Sequence, residues 1–299
     1  MHKKGVWYGV LAYLLWGFFP AYWKQLEGVP AIQLLGHRVV WSFLLLMAVV
    51  LWTRRRGELG AELTARTVRI YLLAAVLIAV NWLTYVWAVN AGFIVETSLG
   101  YFINPLLSML LGVFILRERL RAAQWIPIVV AAVGVTYLTR AYGRLPWIAL
   151  TLALSFALYG LVKKVAPLGA LFGLTLETGL LFLPAVLYLG AAEAAGSGAF
   201  VHAGPRATAF LAGAGVVTTI PLVMFASAAR RIPLVLLGIL QYIAPSVQFL
   251  LGVFVYQEPF DSARLVGFTI VWLALVLFGV ENYLAGRTPT VPVAEMGEG

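Results

Sequence analysis

The stretch Leu110-Leu111-Gly112-Val113-Phe114 recurs without a gap as Leu250-Leu251-Gly252-Val253-Phe254. The same spacing of 140 residues relates Pro105 to Pro245, Ile103 to Ile243, Glu118 to Glu258, Trp7 to Trp147 and Lys24 to Lys164. Five consecutive identities with flanking matches at one offset mark a chain written twice. Each copy holds five apolar runs. Five is odd, so the second copy enters a membrane from the side opposite to the first. Inverted-topology repeats recur in secondary transporters, with the substrate site between repeats near the bilayer midplane. Channels and some membrane enzymes also contain repeats, so the pattern supports transport without proving it.

Composition makes the membrane reading necessary. Of 299 residues, 62% are hydrophobic and 11% are charged. A soluble domain carries about 45–50% apolar and about 25% charged residues. One globular core does not bury the excess, so it faces lipid. This excludes an ordinary soluble enzyme, a disordered chain and a fibrous protein. With no cysteine, disulfides, thiol catalysis and Cys-based metal sites are excluded too. His2, His37 and His202 lie far apart, without metal-ligand spacing. The net charge of +9 would suggest nucleic acid in a soluble protein. Here it marks cytoplasmic loops instead, and no nucleic-acid partner is expected.

A spanning helix needs roughly 20 mostly apolar residues. Ten runs qualify: Gly5–Tyr22, Ala31–Trp52, Ile70–Ala91, Thr97–Leu116, Ala123–Leu138, Pro146–Val162, Leu171–Gly190, Thr208–Ala229, Val235–Tyr256 and Ala263–Tyr283. The first follows Met1-His2-Lys3-Lys4 with no small-x-small cleavage pattern, so it reads as a retained helix. With the N-terminus inside, fifteen Lys and Arg fall in cytoplasmic positions, among them Arg54, Arg55, Arg56, Lys163, Lys164 and Arg287. Five fall outside: Lys24, Arg140, Arg144, Arg206 and Arg264. The bias places both termini in the cytoplasm of a multi-pass inner-membrane protein. The expected organisation is an all-α membrane protein of ten transmembrane helices in two inverted-topology five-helix repeats. Residues 1–141 and 142–284 form the repeats, and 285–299 a disordered cytoplasmic tail.

Several stretches are similar to a known family. Trp16-Gly17 with Pro20-Ala21-Tyr22 and Lys24, then His37-Arg38-Val39 with Trp41-Ser42, resemble the RarD branch of the EamA-type drug/metabolite transporters. So do Asn81-Trp82 with Trp87-Ala88-Val89-Asn90, and Glu96 with the run Ser98-Leu99-Gly100-Tyr101-Phe102-Ile103-Asn104-Pro105-Leu106. In the second half, Ser155-Phe156-Ala157, Tyr159-Gly160-Leu161-Val162 and Gln241-Tyr242-Ile243 with Pro245 fit as well. The resemblance covers nearly the whole chain. It implies ten helices, two EamA repeats and export of small metabolites or drugs.

Ionisable groups inside a bilayer cost at least a few kcal/mol and are functional candidates by default. His37, Arg38 and Glu177 stand out, and the 140-residue offset makes His37 the counterpart of Glu177. Arg38 would grip an anionic or zwitterionic substrate through its planar guanidinium. His37 or Glu177 would carry a coupling proton. The competing reading is an internal Arg38–Glu177 ion pair that locks two helices.

Glu96, Gly100, Asn104, Ser108 and Gly112 recur every four residues and share a helix face. The small ones suit close helix packing; Asn104 is expected in a cavity. Asn81 and Tyr85 share a face of the third span, and Gln241, Pro245 and Gln248 one of the ninth. Trp41, Tyr101 and Tyr242 are expected among the aromatic walls of a site. Trp23 and Trp52 read as interface anchors and Lys24 as a snorkelling anchor. Pro105 and Pro245 lack the N–H that would bond the carbonyls of Tyr101 and Gln241, so a matched pair of kinks would form a gate. The fifth and tenth spans, poor in polar residues, are expected at the periphery.

No Gly-x-x-x-x-Gly-Lys-Ser/Thr loop appears, so no nucleotide cofactor is expected, and no metal or catalytic residue. The leading reading is a non-enzymic secondary transporter exporting a small organic molecule by alternating access. Its partners are that solute, the lipid bilayer and a coupling proton. The alternative is an intramembrane lipid-handling protein, scramblase or enzyme, using His37 with Glu177. Substrate identity and oligomeric state stay open.

Overall fold

The computed structural model of the chain describes residues 2–26, 28–53, 63–91, 93–142, 146–256 and 262–285. Regular structure among them is helical. The elements are α1 (His2–Gly17), α2 (Phe19–Trp23), α3 (Ala31–Trp52), α4 (Ala65–Asn90), α5 (Ile94–Phe114) and α6 (Trp125–Tyr142). Then come α7 (Trp147–Val165), α8 (Ala170–Ala194), α9 (Pro205–Ala229), α10 (Leu234–Gln241), α11 (Ile243–Leu250) and α12 (Ser262–Ala285). Glu258, Arg54, Arg55, Arg56, Arg144, Arg287 and the tail from 286 lie outside the described residues, as do the side chains of Glu96 and Arg264.

Six of the described helices, α3, α4, α6, α7, α8 and α9, contain stretches long and apolar enough to cross a membrane. Shorter apolar stretches lie at Leu99–Phe114, Leu234–Gln248 and Leu265–Glu281. Large apolar side chains point outward, such as Leu73, Leu187 and Val276. Water would penalise that exterior and lipid does not. The chain is a multi-pass membrane protein.

Two prolines break helices where a missing N–H dictates. Pro20 separates α1 from α2 and leaves the Trp16 carbonyl without its intrahelical donor. Gln248 Nε2 supplies the replacement at 3.1 Å. Pro245 likewise follows the break between α10 and α11 at Tyr242. Its counterpart differs: α5 runs without interruption through Pro105. The two prolines thus sit differently, one beside a break and one inside an uninterrupted helix. The Pro105 carbonyl lies close against Gly238 of α10, where a Cβ would come within 2.8 Å of it.

Helix packing crosses between the halves. α3 lies on α8, α5 on α10 and α6 on α12; α1 lies on α9 and α4 on α7. α5 also packs on α7, α1 on α11, and α3 on α9. Some crossings are close enough to require glycine. A Cβ on Gly215 would sit 2.5 Å from the Trp41 carbonyl carbon, so α9 and α3 touch backbone to backbone there.

Candidate functional site

The breaks at Pro20 and Pro245 lie beside a cavity of about 410 Å³. Tyr13 and Trp16 of α1, Phe19, Pro20 and Trp23 of α2, and Lys24 line one end. Arg38 of α3, Asn81, Trp82 and Tyr85 of α4, and Gly100, Tyr101 and Asn104 of α5 form the side contributed by the first half. The second half contributes Leu152 and Phe156 of α7, Leu222 of α9, Gln241 of α10, and Ala244, Pro245 and Gln248 of α11. No described residue of α6, α8 or α12 reaches it.

Arg38 is the cavity's buried charge, 9% exposed. Its Nε donates to Thr218 Oγ1 at 3.0 Å. Its guanidinium lies 4.4 Å from the Trp82 ring centroid and 5.0 Å from that of Trp23. Among the described residues, no carboxylate pairs with it. The ring contacts and the Thr218 bond fix the plane of the fork. Its terminal nitrogens have no hydrogen-bond partner among the described residues.

The neutral polar groups are partly committed. Asn81 Nδ2 donates to the Leu152 carbonyl (2.8 Å) and lies 3.1 Å from Ser155 Oγ. Ser108 Oγ lies 3.3 Å from Gln241 Oε1 and 3.5 Å from Asn104 Oδ1. Gln241 Nε2 and Tyr13 Oη are buried without a well-formed hydrogen bond. Buried donors left unmade cost about 1–3 kcal/mol each, so a ligand that accepts from them recovers that cost. Tyr85 and Tyr101 pack edge to face, with centroids 6.0 Å apart.

Arg38, Asn81, Tyr85, Tyr101, Asn104, Gln241, Pro245 and Gln248 thus come together, while five other sequence candidates lie elsewhere. Successive helix residues point about 100° apart, so His37 and Arg38 face different ways. His37 turns to Phe200, centroids 5.0 Å apart, and lines a separate depression with His202. Trp41, one turn on, joins it against Phe200 at 5.8 Å. Tyr242 is buried and donates to the Phe102 carbonyl at 3.3 Å. Pro105 is packed inside the α5–α10 contact.

Glu177 is the largest correction. It pairs not with Arg38 but with Lys163, Nζ to Oε1 at 2.6 Å, and accepts from Tyr159 Oη at 3.0 Å. Lys163, expected in a cytoplasmic loop, is 3% exposed and Glu177 is 1% exposed. Gly36 packs on Leu189 while Gly179 packs on Phe43, so α3 and α8 run antiparallel. Twelve residues separate Glu177 from Leu189; at 1.5 Å per residue that is roughly 18 Å along α8. His37, beside Gly36, and its offset counterpart Glu177 are therefore far apart and form no pair.

Known proteins give this cavity a context. The sequence pattern of the EamA-like transporter family matches residues 3–140. The chain is 45% identical over 284 residues to "Uncharacterized transporter YojE" of Bacillus subtilis (strain 168), covering 92% of this chain and 93% of that one. It is 46% identical over 276 residues to "Protein RarD" of Streptomyces exfoliatus, covering 92% and 88%. The chain belongs to the RarD group of the EamA-like transporter family. A solved crystal structure with 18% identity matches this EamA chain with a TM-score of 0.69, covering 96% of it and 100% of the solved chain. That likeness extends the shared fold across both halves.

Among the lining residues that sequence reasoning about this EamA chain missed are Trp23 and Lys24. Both lie at the expected end of a span, where an anchor and a lining residue look alike; Lys24 Nζ sits 4.0 Å from the Tyr256 ring centroid. It also missed Glu118, beside the start of α10. The two Glu118 oxygens accept from the backbone N–H groups of Leu234 (2.6 Å) and Val235 (3.0 Å). Lys164 Nζ lies 3.6 Å from Glu118 Oε1 and donates to the Ile232 carbonyl at 2.6 Å. A carboxylate from the first half thus caps α10 of the second, where the unpaired N–H groups and the helix dipole favour negative charge. Glu118→Ala is expected to cost about 2 kcal/mol, the order of a hydrogen bond to a charged group. Glu118→Gln, which keeps one acceptor, is expected to cost less. Thermal unfolding of the purified variants in detergent checks both.

Proposed function

We propose that this chain is a secondary transporter that moves a small organic solute outward across the inner membrane by alternating access. The observation that carries the reading is the cavity itself. It is built by both halves, lined by Arg38, Asn81, Tyr85, Tyr101, Asn104, Gln241 and Gln248, and lies in a chain of a transporter family. These residues are the proposed substrate contacts, with Trp23 and Trp82 holding Arg38 in place.

The architecture we propose is ten crossings in two inverted five-helix repeats, residues 1–141 and 142–284, with both termini and the 285–299 tail in the cytoplasm. The packing supports it. By the 140-residue offset α3 corresponds to α8, α5 to α10 and α6 to α12, and each pair packs on itself. The α1–α9 contact has its counterpart in α4–α7, as an exchange of the halves demands. On this orientation the lining residues next to Lys24 form the proposed outward mouth, and the Glu118 clasp is the proposed closure of the other end. The break at Tyr242, beside Pro245, is the proposed hinge. The lipid-handling alternative loses its footing, since its His37–Glu177 pair does not form.

Liposomes containing only the purified chain, loaded with an unfractionated small-molecule cell extract, test the reading. A defined subset of solutes is expected to leave them, and not liposomes carrying Arg38→Ala. No solute leaving faster than from protein-free liposomes would contradict it.

A further inference from the structure

We infer that the cavity selects a small organic anion, a carboxylate on an aromatic or otherwise apolar body, over zwitterions, neutral analogues and cations. The inference rests on the transport reading and deepens it. Its basis is the charge inventory of the cavity. Among the described residues, the charged groups lining it are Arg38 and Lys24, both cationic, and no acidic residue is among them. Two carboxylates described in the bundle are committed elsewhere. Glu177 is held by Lys163 and Tyr159, and Glu118 by the start of α10.

A buried guanidinium without a counter-charge is costly, and a bound anion removes that cost. Arg38 is arranged for one. Thr218 takes its Nε, and Trp82 and Trp23 cover its surroundings on the ring faces. What remains is the edge carrying the terminal nitrogens, the geometry that meets a carboxylate through parallel hydrogen bonds. Trp16 and Phe156, with centroids 5.7 Å apart, supply a wall for the apolar body. A volume of about 410 Å³ suits a ligand of modest size.

The same inventory disfavours a positive group on the ligand. Among the described residues, an ammonium would meet two cations and no carboxylate. Two of the lining rings that would otherwise attract it, Trp23 and Trp82, are already taken by Arg38, and Tyr256 is taken by Lys24.

The test uses four probes that differ in charge on one indole body: indole-3-acetate, indole-3-acetamide, tryptamine and tryptophan. Binding to the purified full chain in nanodiscs is measured by calorimetry. Exchange of the same probes is measured in proteoliposomes. The acetate is expected to bind at least ten-fold more tightly than each of the other three. That preference is expected to collapse to under two-fold in Arg38→Gln and to be only partly restored in Arg38→Lys, which keeps the charge without the fork. Lys24→Gln, at the mouth and away from the packed core, is expected to weaken acetate binding with little effect on thermal stability. Equal or tighter binding of the amide, amine or amino acid by the wild type overturns the inference, and so does binding of none of the four. Selective acetate binding without exchange leaves the inference standing and sinks the transport reading. Exchange without acetate preference does the reverse.

Discussion

Glu177→Ala is expected to unfold the protein more readily than any other single side-chain truncation in the described bundle. The change strands Lys163, 3% exposed and held by Glu177 at 2.6 Å, inside the packed bundle. Breaking one side of a buried pair typically costs about 3–5 kcal/mol, because the remaining charge stays buried without compensation. Tyr159 loses its acceptor at the same time. The paired replacement Lys163→Met with Glu177→Leu removes both charges and is expected to recover most of the loss. Melting temperatures of the single and double variants in detergent decide this. Equal damage from the single and double changes would show that packing, rather than stranded charge, is responsible. Since neither residue lines the cavity, the double variant is expected to keep transport.

The second large effect is steric. In Gly215→Val the first added carbon alone falls 2.5 Å from the Trp41 carbonyl carbon and 2.8 Å from its oxygen. Backbone cannot rotate aside as a side chain does, so α9 must move away from α3. Overpacking of this kind costs about 1–3 kcal/mol or more. The displacement reaches the site directly, because Thr218 lies on the next turn of α9 and holds Arg38 Nε. Gly215→Val is therefore expected to lower both the melting temperature and transport. Gly190→Ala, where an added Cβ meets nothing within 4 Å, is the matched control and is expected to change neither. Unaltered transport in a folded Gly215→Val protein would show that the α3–α9 contact does not position Arg38.

How much of this was legible in the sequence follows from what periodicity encodes. Apolar runs located the helices well, because a lipid exterior and a packed interior both demand them. The breaks at Pro20 and Pro245 were readable in principle from the missing N–H groups. The sequence could not show that the helix is interrupted at Pro20 and runs on through Pro105. The site was half legible. Arg38, Asn81, Asn104 and Gln241 announce themselves as polar groups in apolar runs. His37 announces itself equally and faces away, a difference that follows from its neighbour Arg38 pointing inward. Glu177 misled because its partner Lys163 sits at a helix end, where a lysine normally reaches water. Trp23 and Lys24 misled for the same reason. At a span's end, one sequence supports an anchor and a pore lining equally.

The central claim is that one cavity opens alternately to the two sides of the membrane. The chain contains no cysteine, so a single introduced thiol reports without interference. Ala244 lines the cavity beside Pro245, and Ala244→Cys adds one small atom there. The measurement is labelling of Ala244→Cys by a membrane-impermeant maleimide in right-side-out and inside-out vesicles, with and without Glu118→Gln. Labelling is expected from both sides, faster from the outside in the parent. Glu118→Gln, by loosening the clasp on α10, is expected to shift it toward the cytoplasmic side. Labelling from one side only, unmoved by Glu118→Gln, would make the cavity a closed vestibule and contradict the account.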